Sequence, residues 1–80
     1  MNFLSMQYFS MVAREKSFTK AAAKLYITQQ TLSAHIAAIE KELGCQLIIR
    51  RVPLELTYAG LLVKSQLKNF SIQAESFTVK

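Results

Sequence analysis

The sequence predicts an all-α domain carrying a small two-stranded β-wing. Three observations lead there. Residues 28–43, TQQTLSAHIAAIEKEL, form an amphipathic stretch with capping residues at both ends, and a short alanine-rich segment over 17–25 precedes it at turn distance. After Gly44 the helical spacing gives way to apolar and β-branched residues on either side of Arg50-Arg51-Val52-Pro53.

In chain order, Leu4, Tyr8, Met11 and Val12 recur near the helical period from Asn2 to about Glu15, and Phe3, Met6 and Phe9 widen the stripe. A first helix follows, with Asn2 as its cap, and the wide stripe implies burial on two sides. Glu15-Lys16-Ser17 interrupts the pattern, and either Ser17 or Thr19 caps a second helix running to about Leu25. Its inner face is Phe18, Ala21, Ala22 and Leu25, and Ala21 to Ala23 are small enough for another helix to cross closely. Tyr26-Ile27 connects to the helix of residues 28–43, which has Thr28 as N-cap, Gly44 at its C-terminus and Leu32, Ile36, Ile39 and Leu43 as its apolar stripe. Two helices so joined are the pattern of a helix-turn-helix. Glu40 and Glu42 fall in the last turns, where the helix dipole disfavours acids, so local helix energetics do not explain them.

Leu47-Ile48-Ile49 and Leu54-Glu55-Leu56 read as the two strands of the wing, with Pro53 at a turn or edge. Cys45 is expected to pack against this hairpin as a small buried hydrophobe. Thr57 caps a final helix along which Val63, Leu67, Phe70, Ala74 and Phe77 make a heptad seam about two repeats long. That seam is expected to find no partner within the compact part of the chain and to bury itself against the same helix of a second subunit, with Phe3 and Met6 closing one side. The organisation is a winged helix-turn-helix over 1–57 and a linker and dimerisation helix over 58–80, within one compact unit.

Eighty residues allow one small domain near the lower limit for independent folding, a limit that dimerisation relieves. Ten Lys and Arg against five acids give a net charge of +5, which suits a polyanion. The single cysteine excludes an intrachain disulfide or zinc quartet and sets a reduced, cytoplasmic default. No apolar run approaches the roughly 20 residues of a membrane span, and the first residues lack a signal-peptide pattern. With one histidine and no aspartate the sequence offers no catalytic triad, metal cluster or glycine-rich phosphate loop, so neither enzyme activity nor a cofactor is expected.

Nucleic-acid recognition fares better. Amide and hydroxyl side chains at the start of the long helix suit base edges in a DNA major groove: Gln29 or Gln30 for adenine, Thr31 for a thymine methyl. Thr28 and Ser33 lie on the same stretch. His35 is open to three readings: a phosphate contact, a base contact or a surface residue. Ser17, Thr19 and Lys20 are placed for backbone phosphates, and Arg50 or Arg51 for a phosphate or the adjacent minor groove.

The ordered run SFTKAAAKLYITQQTLSAHIAAIEKELGCQLIIR, followed by LTYAG, resembles the N-terminal winged helix-turn-helix of LysR-type transcriptional regulators. The resemblance covers Met1 to about Phe70. It implies a bacterial transcription factor's DNA-binding portion, dimeric through an antiparallel linker helix, with Ser17 and Thr19 on the DNA backbone, Gln29, Gln30, Thr31 and Ser33 on the reading helix and Arg50 in the wing. Family members usually continue into a ligand-sensing domain, so no small-molecule ligand is expected for this portion. The sequence departs from the family pattern at Gln30, where proline is usual, at Ala34, where arginine is common, and between Arg50 and Leu56, one residue shorter than usual. Together these readings predict sequence-specific binding of a two-fold symmetric duplex by a homodimer. The main alternative is a winged helix used only to dimerise or to dock on another protein; an RNA or membrane-surface binder rests on charge alone.

Overall fold

In the computed structural model, residues 2–67 are described. Helix α1 spans Phe3–Glu15, α2 Phe18–Leu25 and α3 Gln29–Leu43; the short strands β1 (Ile48–Ile49) and β2 (Glu55–Leu56) follow. Residues 58–67 are again helical and are called α4. Each helix begins where a side chain can satisfy an orphan backbone donor. The Asn2 side chain accepts from the Ser5 N–H at 2.8 Å, Ser17 Oγ from the Lys20 N–H at 3.1 Å, and Thr28 Oγ1 from the Thr31 N–H at 3.1 Å. Of the two residues able to cap α2, Ser17 does so.

The helices end through left-handed residues, in keeping with Gly44 at φ 73° but less expected of Lys16 at φ 53° and Tyr26 at φ 59°. A side chain in that region costs roughly 1–2 kcal/mol. The Lys16 N–H nonetheless closes on the Val12 carbonyl, and that of Tyr26 on the carbonyls of Ala22 and Ala23. The conformation thus completes both helix ends and turns the chain sharply enough to bring α1, α2 and α3 together.

The wing strands are antiparallel, Ile48 opposite Leu56 and Ile49 opposite Glu55. They are shorter than the sequence predicts, because both flanking leucines are taken elsewhere. Leu47 donates its N–H to the Glu40 carboxylate and accepts the Thr57 N–H on its carbonyl, while Leu54 is buried in the core. Thr57 Oγ1 accepts from the Gly60 N–H at 3.0 Å and donates to the Gln46 carbonyl at 2.6 Å, fixing the start of α4 to the segment that leads into β1. Gly60 is required there, since a Cβ would run into the Leu47 carbonyl oxygen.

One core joins these elements. Phe9 and Val12 of α1, Ala21 and Ala22 of α2, Leu32, Ile36 and Ile39 of α3, and Leu47, Ile48 and Leu54 around the wing are all buried. Leu67 is buried with them at 5% exposure, and Val63 and Met6 pack against the same cluster. This corrects the expectation that the seam lacks a partner within the chain: α4 lies back on the domain, so Val63 and Leu67 face inward. Phe70, Ala74 and Phe77 lie outside the described residues. Phe3 is 61% exposed, and Tyr58, Leu61 and Leu62 are exposed on the outer side of α4. Two further expectations change. Leu43, the last residue of α3, is exposed, and Cys45 is exposed, not buried, because the Gly44 turn commits its N–H to the Glu40 carbonyl and leaves its side chain outside.

Leu67→Asp should therefore unfold the domain. It removes a buried leucine, costing about 2–5 kcal/mol, and places a carboxylate in an apolar site. Thermal denaturation followed by circular dichroism checks this; a variant as stable as the parent contradicts the inward placement of α4.

Candidate nucleic-acid interface

The α-helical repeat separates α3 into opposed faces. Leu32, Ile36 and Ile39 are buried; Gln30, Ala34, Ala37 and Lys41, at steps of four, three and four, are exposed on the other side. The remaining polar residues sit on the shoulders, and most are committed within the domain. Ser33 Oγ accepts from Arg50 Nη1 at 2.8 Å. His35 stands edge-on to Tyr8 of α1, with ring centroids 4.7 Å apart at 79°. Thr28 Oγ1 donates to Thr31 Oγ1 at 2.8 Å, so this hydroxyl pair is partly satisfied, although both residues are exposed. Gln29 lies at the edge of a cleft beside the wing.

That cleft, about 240 Å³, opens between the start of α2 and the wing tip. Lys16, Ser17 and Thr19 line one side, Arg50 and Arg51 the other. Ser17, Thr19, Arg50 and Arg51 thus converge from positions more than thirty residues apart. Lys20 is exposed one position beyond, on α2. Two arginines, a lysine and two hydroxyls around one concave surface make it attractive to an anion.

The two arginines differ. Arg50 lies over the Phe18 ring at 4.7 Å, donates to Ser33 and has Nη2 3.9 Å from Glu40 Oε1. One guanidinium so ties the wing to α2 and α3. Arg51 pairs with Glu55 across the wing, with both side chains more than half exposed. Exposed pairs of that kind contribute about 0.2–1 kcal/mol, so Arg51 is readily exchanged onto another anion.

Glu40 was not legible as part of this arrangement. Its Oε2 accepts the backbone N–H groups of Leu47 and Ile48 at 2.8 and 3.2 Å, anchoring the first strand of the wing to α3. Phe18 too served only as a core candidate in the sequence, whereas here it also forms the platform for Arg50. Among the described residues no helix is long and apolar enough to cross a membrane.

A helix-turn-helix with an exposed second helix and a flanking two-stranded wing defines the winged helix-turn-helix class. Residues 3–61 match the family described as "Bacterial regulatory helix-turn-helix protein, lysR family", and the chain belongs to that family. It is 45% identical over 67 residues to a probable cat1 operon transcriptional activator of Acinetobacter lwoffii, covering 82% of this chain and 22% of that protein. The BenM DNA-binding domain, in a crystal structure of its complex with catB site 1 DNA, superposes with a TM-score of 0.88 at 35% identity, covering 99% of this chain and 90% of that one. DarR of Vibrio fischeri in complex with DNA gives 0.80 at 30% identity, covering 99% and 28%. The chain spans about a fifth to a quarter of the length of the curated relatives it matches, which are transcriptional regulators.

Glu40→Ala should strand two N–H groups on buried residues at a cost of about 1–3 kcal/mol each, the helices remaining formed. Hydrogen exchange at the Leu47 and Ile48 amides should accelerate well before that of α1; unchanged protection there would contradict the anchoring role.

Proposed function

We propose that this chain binds duplex DNA sequence-specifically as a homodimer, with α3 in the major groove and the wing along the neighbouring backbone, as the DNA-binding part of a transcriptional regulator acting in the cytoplasm. The observation that carries the reading is the juxtaposition of the exposed α3 face with the basic cleft. A helix of this diameter fits the major groove, and a flanking cation site then falls where the sugar–phosphate backbone runs. Likeness to BenM and DarR domains seen with DNA supports it. In this arrangement Ser17, Thr19, Lys20 and Arg51 meet backbone phosphates, Thr28 and Gln29 sit at the groove edge, and Arg50 acts mainly by holding the wing against the reading helix.

Affinity should fall steeply with salt, since neutralising about six phosphates per dimer gives a log–log slope near −5. A salt titration of binding to a mixed-sequence duplex measures it. A slope near zero removes DNA from the proposal and favours a protein-docking module.

Pairing of two subunits through the C-terminal helix is the second part of the reading. Tyr58, Leu61 and Leu62 share the outer face of α4, opposite Gly60 and Leu67, and Phe3 and Leu4 are exposed on α1. Large apolar side chains exposed on one helix face are natural contacts for a second copy, and a single reading helix covers too few base pairs to select a site. Leu62→Asp should give a folded monomer that keeps salt-sensitive, non-specific affinity and loses tight binding to a two-fold site. Sedimentation equilibrium with circular dichroism decides it; a variant that stays dimeric places the interface elsewhere.

A further inference from the structure

Resting on that reading of α3, we propose that specificity is set by Gln30 and Ala34 acting as a pair, and that they select A·T base pairs: an adenine for Gln30 and a thymine for Ala34. Several polar side chains on the first turns of α3 are already engaged within the domain. Ser33 is held by Arg50, His35 is packed edge-on against Tyr8, and the Thr31 hydroxyl accepts from Thr28. Gln29 faces the cleft and the backbone it would hold. On the central outward row, Gln30, Ala34, Ala37 and Lys41, only Gln30 has both a donor and an acceptor to offer.

A glutamine amide matches the N6 and N7 edge of adenine in two hydrogen bonds. One turn further along, about 6 Å on the helix axis, Ala34 presents a methyl group and nothing polar. The base feature that rewards a methyl at a groove floor is the thymine C5-methyl, whereas the polar edges of guanine or cytosine would be desolvated without a partner. Ala37 continues the row without bulk, so the helix backbone can lie close to the bases and bring the short Ala34 side chain into contact. Lys41, two turns beyond Ala34, is suited to a phosphate and carries no sequence information.

Selection from a random duplex library with the 80-residue chain and with Gln30→Ala and Ala34→Arg tests the proposal, both positions being exposed so that the fold is retained. The parent should select an adenine and a thymine in each half-site. Gln30→Ala should flatten the preference at the adenine alone, by about ten-fold or more, and Ala34→Arg should convert the thymine preference to guanine. Replacing that thymine by deoxyuridine, which removes only the methyl, should weaken parent binding about four-fold, the equivalent of one buried methyl group, and leave Ala34→Gly unaffected. An unchanged selected motif for Gln30→Ala, or insensitivity of the parent to deoxyuridine, overturns the proposal while DNA binding itself stands. Absence of salt-sensitive duplex binding by the parent defeats both readings together.

Discussion

The carboxylate of Glu40, receiving two backbone N–H groups from the start of the wing, is the contact on which the arrangement of this domain depends. A carboxylate near a helix C-terminus is disfavoured by about 0.3–1 kcal/mol at an exposed site. A hydrogen bond to a charged group contributes about 1.5–3 kcal/mol, and Glu40 accepts two from residues whose side chains are fully buried. The tertiary gain exceeds the local penalty. Once Leu47 is fixed in this way, its carbonyl is presented to the Thr57 N–H, and α4 is led back across it at Gly60. Helix α3, the wing and α4 therefore share one point of attachment.

Arg50 adds a second tie. Its guanidinium lies over Phe18 and contacts Ser33 and Glu40, so α2, α3 and the wing are linked by a single planar group. A lysine could supply the charge but neither the stacking nor the forked geometry. If α3 reads a groove and the wing follows a backbone, as proposed, a fixed distance between the two lowers the ordering cost of binding. The two neighbouring arginines differ: Arg50 is held in three contacts within the domain, and Arg51, in an exposed pair with Glu55, is the one the proposed reading gives to a phosphate.

The outward surface of α3, proposed to meet DNA, is correspondingly spare. With Ser33 and His35 engaged inside the domain, the outward row contains one amide, two alanines and a lysine. On the proposed reading, such a row would select bases by close approach and methyl contact more than by many hydrogen bonds. The departures from the family pattern at Gln30 and Ala34 fall within this row.

Much of the fold was legible from local rules. Asn2, Ser17, Thr28 and Gly44 mark helix ends because capping needs only a side-chain oxygen or a permissive φ at one position, and the apolar periods of α1 to α3 name most of the core. Family membership was legible as well, since the ordered motifs from Ser17 to Arg50 survive as sequence. What the sequence could not supply was the destination of each polar group. Whether Ser33 and His35 face DNA or the domain, whether Glu40 holds a wing, and whether Leu67 faces a partner or its own core depend on contacts with residues far along the chain: Arg50, Tyr8, Leu47 and the buried cluster. Periodicity assigns a residue to a face of its own helix. Only packing decides what lies opposite that face, because burial and hydrogen bonding are properties of pairs.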